Sequence, residues 1–273
     1  MRRIQITLSN GRTVEFEVDV GGDGPACFAL SVRKCGSTIF NQMCAALARR
    51  NKRHVVHVAQ PFFHANVRVA DYINEPSLRD LMHVGNVYAG FRNMPAPLCG
   101  HEVFEKGLKV LMIRDPRDAL VSLYFSTAFS HPVPVPKEGG SDEVARTLEK
   151  KRAQTQRMSI EEFVKSEARG MLKTMQAYGR IIHDPTLTVL RYEDYIDDKR
   201  ALLLRVAECF GWETDERSIL SILRWADVRP SEENPRQFIR KVTPGDHKEK
   251  LGHGTIAEIT EILRPSMDMF GYT

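Results

Sequence analysis

Residues 27–32, CFALSV, form an unbroken apolar run that ends at the basic stretch Arg33-Lys34-Cys35-Gly36-Ser37-Thr38. Six residues without polar alternation predict a strand buried on both faces, as in the middle of a parallel sheet. From Thr38 onward, Phe40, Met43, Cys44 and Leu47 recur at helical spacing, and the stretch closes on Arg49-Arg50. A strand that runs straight into a helix reaches a parallel neighbour only through a crossover. This feature confines the chain to α/β architectures.

The rest of the pattern agrees. HVVHVA (54–59), NVYAGF (86–91), LKVLMI (108–113) and LTVLRY (187–192) are further strand candidates. One helix is expected from Asp118, as N-cap, to Phe129. Another starts at the capping box Ser159-Ile160-Glu161-Glu162 and runs to about Ile182, before Asp184-Pro185. Leu202, Leu203, Val206 and Phe210, then Ile219, Ile222, Leu223 and Ala226, mark a helical C-terminal third. Residues 1–20 read as an N-terminal β-hairpin, with Ile4, Ile6 and Leu8 alternating before Ser9-Asn10-Gly11 and Val14, Phe16 and Val18 after it. Residues 131–157, rich in Pro and Gly and then in charge, read as a lid or acceptor loop, or as a long surface loop. The expectation is a single domain over 1–273: a mainly parallel central sheet flanked by helices.

Composition removes several classes. No run of 18 apolar residues occurs, so no membrane-spanning helix is expected. The alternating N-terminus is not a secretion signal. Five cysteines (Cys27, Cys35, Cys44, Cys99, Cys209) without a CxxC pair argue against a disulfide framework and a zinc site, and suit a reducing, cytoplasmic setting. A net charge of +4 is too mild for a nucleic-acid binder but compatible with a local site for a small polyanion.

Three segments carry chemistry. In the first, 33–38, the N–H groups and dipole of a helix start would meet an anion. Gly36 permits close approach, Ser37 and Thr38 add hydroxyls, and Lys34 adds a full charge. On its own it is either such a cradle or an ordinary capped strand-to-helix turn. It is not a Walker A loop, because Lys34 precedes Gly36 and Ser31 stands where that pattern has its first glycine. The second segment, Arg114-Asp115-Pro116-Arg117-Asp118-Ala119-Leu120-Val121-Ser122, follows a buried strand and opens a helix. Arg114 would stand at the strand's carboxyl end, where open α/β sheets bind ligands. The third, Phe238 to Lys248, read alone is a solvated basic loop.

Together, in this order, the three segments resemble sulfotransferases that use 3′-phosphoadenosine 5′-phosphosulfate (PAPS). Lys34-Cys35-Gly36-Ser37-Thr38 resembles the family's 5′-phosphosulfate loop. Arg114 to Ser122 matches its R-x-P-x-D-x-x-x-S motif, and Arg240 to Lys248 resembles its RKGxxGDWK loop, with Val242 for Gly and His247 for Trp. Arg191-Tyr192-Glu193-Asp194 is similar to its YED segment. The resemblance spans about residues 27–251 and implies the P-loop-like sulfotransferase fold. It implies a donor site of Arg33, Lys34, Cys35, Gly36, Ser37, Thr38 and Ile39 at the 5′ end. Arg114, Ser122, Arg240, Lys241 and Val242 would hold the 3′-phosphate, with Tyr192 and Trp225 at the adenine. Ile39 stands where the family usually has a stacking aromatic. Taken singly, Tyr192 reads as a packed strand-end residue and Trp225 as core.

The implied reaction moves a sulfuryl group in line onto an acceptor hydroxyl, on a carbohydrate or a small-molecule alcohol, and leaves adenosine 3′,5′-bisphosphate (PAP). Lys34 would stabilise the leaving phosphate, and no metal is required. The base is the weak point. The family's Lys-Thr-His segment corresponds to Gly90-Phe91-Arg92-Asn93-Met94-Pro95, without a histidine, and no Glu precedes Phe62-Phe63. His57 and His64 flank that pair and are the catalytic candidates, beside the bland reading of two ordinary histidines. His101 and Glu102 are further candidates. A nucleotide-dependent kinase and a non-catalytic adenosine-bisphosphate binder are the competing readings. The family's dimer segment is unmatched near Lys248–Glu258, which leaves oligomeric state open.

Overall fold

The apolar run Cys27–Ser31 is strand β3, at the centre of a five-stranded parallel sheet of order β4-β5-β3-β6-β7. Its partners in the computed structural model are β4 (Val55–His57), β5 (Val87–Phe91), β6 (Leu108–Ile113) and β7 (Leu187–Arg191). Residues 1–133 and 143–273 are described. All five β3 residues are buried, as an unalternating run requires. β3 pairs with β5 on one side and β6 on the other, and the Ser31 hydroxyl donates to the Phe91 carbonyl at 2.8 Å. The connection therefore changes side at β3, and its carboxyl end is where a crevice forms in such sheets.

The described residues group into two compact units. The first comprises residues 1–113 and 180–227. It holds the sheet, the helix Ser37–Arg50 lying on β3 and β5, and the helices Lys199–Phe210 and Glu216–Ala226. It also holds the antiparallel hairpin β1 (Arg2–Thr7) and β2 (Thr13–Val18), in the register Ile4 opposite Phe16 and Ile6 opposite Val14. The inward face of the hairpin packs on the segment after β4. Phe16 lies 5.2 Å from Phe62 between ring centroids, and Phe62 stacks on Tyr72 at 4.0 Å. A buried pair, Lys109 to Asp184 at 2.8 Å, with Thr186 at 2.7 Å, pins the start of β6 to the turn before β7.

The second unit, residues 114–179 and 228–273, is helical. Its main elements are the helices Pro116–Phe125, Glu143–Thr155, Ile160–Gln176, Asp246–Lys250 and His253–Phe270. The capping box at Ser159 forms as expected, with the Glu162 carboxylate accepting from the Ser159 N–H at 2.8 Å.

Three expectations change. The 54–59 strand stops at His57, and Ala59–His64 is a short helix. The helix expected to begin at Asp118 begins at Pro116, whose fixed φ suits the first helical position. Its cap is Asp115, which accepts from the Arg117 N–H at 2.9 Å, and Asp118 is freed for another use. Within 131–157, residues 134–142 lie outside the described part. The charged portion after them is a helix, with Val144 and Thr155 buried and Leu148 half-buried on one stripe.

Candidate active site

The turn after β3 is built from two residues in the left-handed region, Lys34 at φ 69° and Gly36 at φ 73°. For lysine this costs on the order of 1–2 kcal/mol, the kind of local strain that concentrates where function needs a fixed backbone. Gly36 precedes the helix Ser37–Arg50, which has no side chain capping its first N–H groups. Those groups have no partners within the helix, so the turn and helix start together present donors at the end of the central strand. Cys35 is turned inward, its thiol on the Val32 carbonyl. Asn41 braces the first helical turn. Its amide donates to the Ser37 carbonyl at 2.6 Å, and its oxygen accepts from the Gly90 N–H at 2.9 Å.

These residues fit an anion. Ser37 is buried, and Thr38 and Ile39 are half-buried. The Nε–H of Arg33 is buried without a hydrogen-bond partner among the described residues. Arg92, on the turn after β5, brings Nη2 to 3.5 Å from the Thr38 hydroxyl. Arg92 belongs to none of the motif segments, and its only mark in the sequence is a cation directly after a buried strand.

Behind the turn is a cavity whose walls include Gly36, Ile39, Tyr192, Tyr195, Ile196 and Lys199. Tyr192, buried directly after β7, shares this cavity with Gly36 and Ile39. Lys199 is held by Asp227 at 2.8 Å. Trp225 is 41% exposed on the helix Glu216–Ala226 and is not among the cavity's walls.

His57 is half-buried at the carboxyl end of β4. Burial, with Arg49 and His54 nearby, holds its imidazole below the ordinary value, so it is neutral near pH 7. His64 is exposed at the end of its short helix, with Gln60 Nε2 at 3.4 Å from its Nε2. His101, whose value is lowered chiefly by burial, precedes the helix Glu102–Glu105, and Glu102 itself pairs with Lys106 at 2.7 Å.

The second unit gathers the other basic candidates. Arg114 is buried, and its Nη2 lies 3.5 Å from Oδ2 of Asp118. The same carboxylate accepts from the Gly245 N–H at 2.7 Å, the His247 N–H at 2.9 Å and the His247 Nδ1–H at 2.6 Å. Burial alone would raise the Asp118 carboxyl. The His247 bond, the Arg114 charge and the two backbone donors outweigh it and hold the group well below the usual carboxylate range. Arg240 lies over the Phe125 ring at 4.2 Å and pairs with Asp246 and Glu233. Lys241 pairs with Asp246 at 3.2 Å and Glu249 at 2.6 Å, and Glu233 also takes Lys250 at 3.0 Å. Ser122 is half-buried on the helix that Arg114 precedes, and Val242 is half-buried in the loop. Arg114 is thus tied to Asp118, and Arg240 and Lys241 share Asp246, while the 33–38 turn belongs to the first unit.

Among the described residues no helix is long and apolar enough to cross a membrane. The fold is similar to that of mouse sulfotransferase SULT7A1 complexed with PAP, with TM-score 0.59 and 12% identity over 90% of this chain and 85% of that one. Retinol dehydratase in complex with androsterone and the inactive cofactor PAP is 13% identical over 97% of this chain and 90% of that one, with TM-score 0.48. No curated protein matches the sequence. The model of the sulfotransferase domain matches residues 25–271, through all three motif segments and residues of both units, and the chain belongs to that family.

Proposed function

We propose that this sulfotransferase uses PAPS as donor and a hydroxyl of a carbohydrate or small-molecule alcohol as acceptor. The observation that carries the reading is the turn after β3, with Lys34 and Gly36 both left-handed at the start of an uncapped helix. The 33–38 residues take the 5′ end of the donor, with Arg92 as an added cation. Tyr192 and Ile39 flank the base. Arg114, Ser122, Arg240, Lys241 and the Val242 backbone take the 3′-phosphate, the group that separates this donor from ATP. For Trp225, 41% exposed, an adenine contact has no support beyond its position along the chain.

In the reaction the acceptor oxygen bonds to sulfur as the bond from sulfur to the 5′-phosphate oxygen breaks, and the electron pair stays on the departing bisphosphate. Lys34 offsets that growing charge, a role for which a preorganised donor contributes ~3–4 kcal/mol. The acceptor proton passes to a histidine, His57 or His64. His57 has the stronger support, since it ends a parallel strand and is already neutral. Five cysteines with no disulfide among the described residues support a reducing, cytoplasmic setting.

Two measurements test this. In calorimetry, adenosine 3′,5′-bisphosphate should bind and ATP should bind much more weakly; the reverse order would return the kinase reading. With labelled donor, Lys34→Ala should lose turnover far more than donor affinity. Equal losses in both would mean that Lys34 only binds.

A further inference from the structure

An ionised carboxylate accepts hydrogen bonds at about four sites and donates none. Asp118 fills these sites from two directions. Arg114, one residue ahead of the Asp115 cap, approaches Oδ2. The other three donors, Gly245 N–H, His247 N–H and His247 Nδ1–H, all come from the loop that carries Arg240 and Lys241. The proton on Nδ1 is fixed by its partner, because the carboxylate cannot supply one. Both side chains are almost wholly buried, with Asp118 1% and His247 2% exposed. Helix capping does not require Asp118, since Asp115 already caps that helix. Next to His247 in sequence, Asp246 holds Arg240 and Lys241. Contacts therefore lead from Arg114 through Asp118 to His247, and the peptide bond from His247 to Asp246 carries the connection on to the two loop cations.

We propose that His247 is a positioning residue for the 3′-phosphate: its bond to Asp118 fastens the 240–247 loop to the helix behind Arg114, so that Arg114, Arg240 and Lys241 face one anion. The inference rests on the donor reading above. Histidine supplies at this position both a side-chain and a backbone donor to the same oxygen.

The test compares affinities for adenosine 3′,5′-bisphosphate and adenosine 5′-monophosphate, which lacks only the 3′-phosphate. In His247→Phe the bisphosphate should weaken at least tenfold and the monophosphate less than threefold. His247→Gln, whose amide can still donate to Asp118, should return the bisphosphate to within about threefold of the starting protein. Asp118→Asn should lose the preference as His247→Phe does, and decides the matter with His247→Gln if the phenylalanine variant does not fold. An unchanged preference in the variants, or equal weakening of both nucleotides, overturns the positioning role and leaves the donor reading standing. A starting protein with no preference for the bisphosphate overturns the donor reading, and this inference with it.

Discussion

The ring of Tyr192 closes on the backbone of Gly36: a methyl group built on that glycine would stand 3.1 Å from Cε2 and 3.2 Å from Cδ2. Space and backbone conformation thus favour glycine independently, since φ at Gly36 is 73°. Gly36→Ala should cost about 1–2 kcal/mol from the left-handed backbone alone, and more from the crowded ring. Thermal melting should show the loss, and adenosine 3′,5′-bisphosphate should bind at least tenfold more weakly. Adding Tyr192→Ala should recover part of the melting temperature and none of the nucleotide affinity, the non-additivity expected of residues in contact.

Glu233 already neutralises two cations, Arg240 and Lys250, where the donor's 3′-phosphate is proposed to bind. Its carboxyl stays ionised: burial works against this, but the bonds from Lys250 and Arg240 prevail. Removing this internal competitor should favour an incoming anion. Glu233→Gln is expected to tighten adenosine 3′,5′-bisphosphate about fivefold, equivalent to ~1 kcal/mol, and to leave adenosine 5′-monophosphate unaffected. Weaker binding of the bisphosphate would instead make Glu233 a support for Arg240.

Asp118 has a folded-state carboxyl value below its unfolded one, so its stabilisation is present at neutral pH and lost as pH falls below about 4. Asp118→Asn takes the negative charge away from the buried donors and from Arg114, which costs about 3 kcal/mol for a buried pair of this kind. The gap in melting temperature between the two proteins should be widest near pH 7 and shrink in acid. A gap independent of pH would show that charge is not what holds the loop.

If His57 accepts the acceptor proton, the rate should fall on the acid side only below the ordinary histidine value of 6.5, because burial, Arg49 and His54 all disfavour its protonation. His57→Ala should lower turnover by about 100-fold or more and flatten that limb. The same outcome in His64→Ala, with His57→Ala unaffected, transfers the role to His64. Unchanged rates in both remove the pair from the mechanism.

The sheet was readable from the chain because buried parallel strands are written as apolar runs, and CFALSV and LKVLMI have no amphipathic competitor. The turn after β3 was readable through Gly36, though nothing in the sequence marks Lys34 as left-handed. Asp118 was misplaced as a cap because Asp115-Pro116 and Asp118 both look like helix starts; only the distant Gly245 and His247 decide between them. The helix Glu143–Thr155 was hidden by its charge, with few apolar residues to mark its stripe. Glu233 opposite Arg240 left no local trace, since an ion pair across seven residues of loop follows no period.

The hairpin lies ahead of residue 25, where the family match begins, yet Phe16 and Phe62 share an interior and are 3% and 0% exposed. A shortened protein cut at the family boundary would leave the Phe62–Tyr72 stack open to water on the side that β2 now covers. Such a product should be sticky and poorly folded, and the first strands of this chain are better regarded as a wall of the enzyme than as an ornament on it.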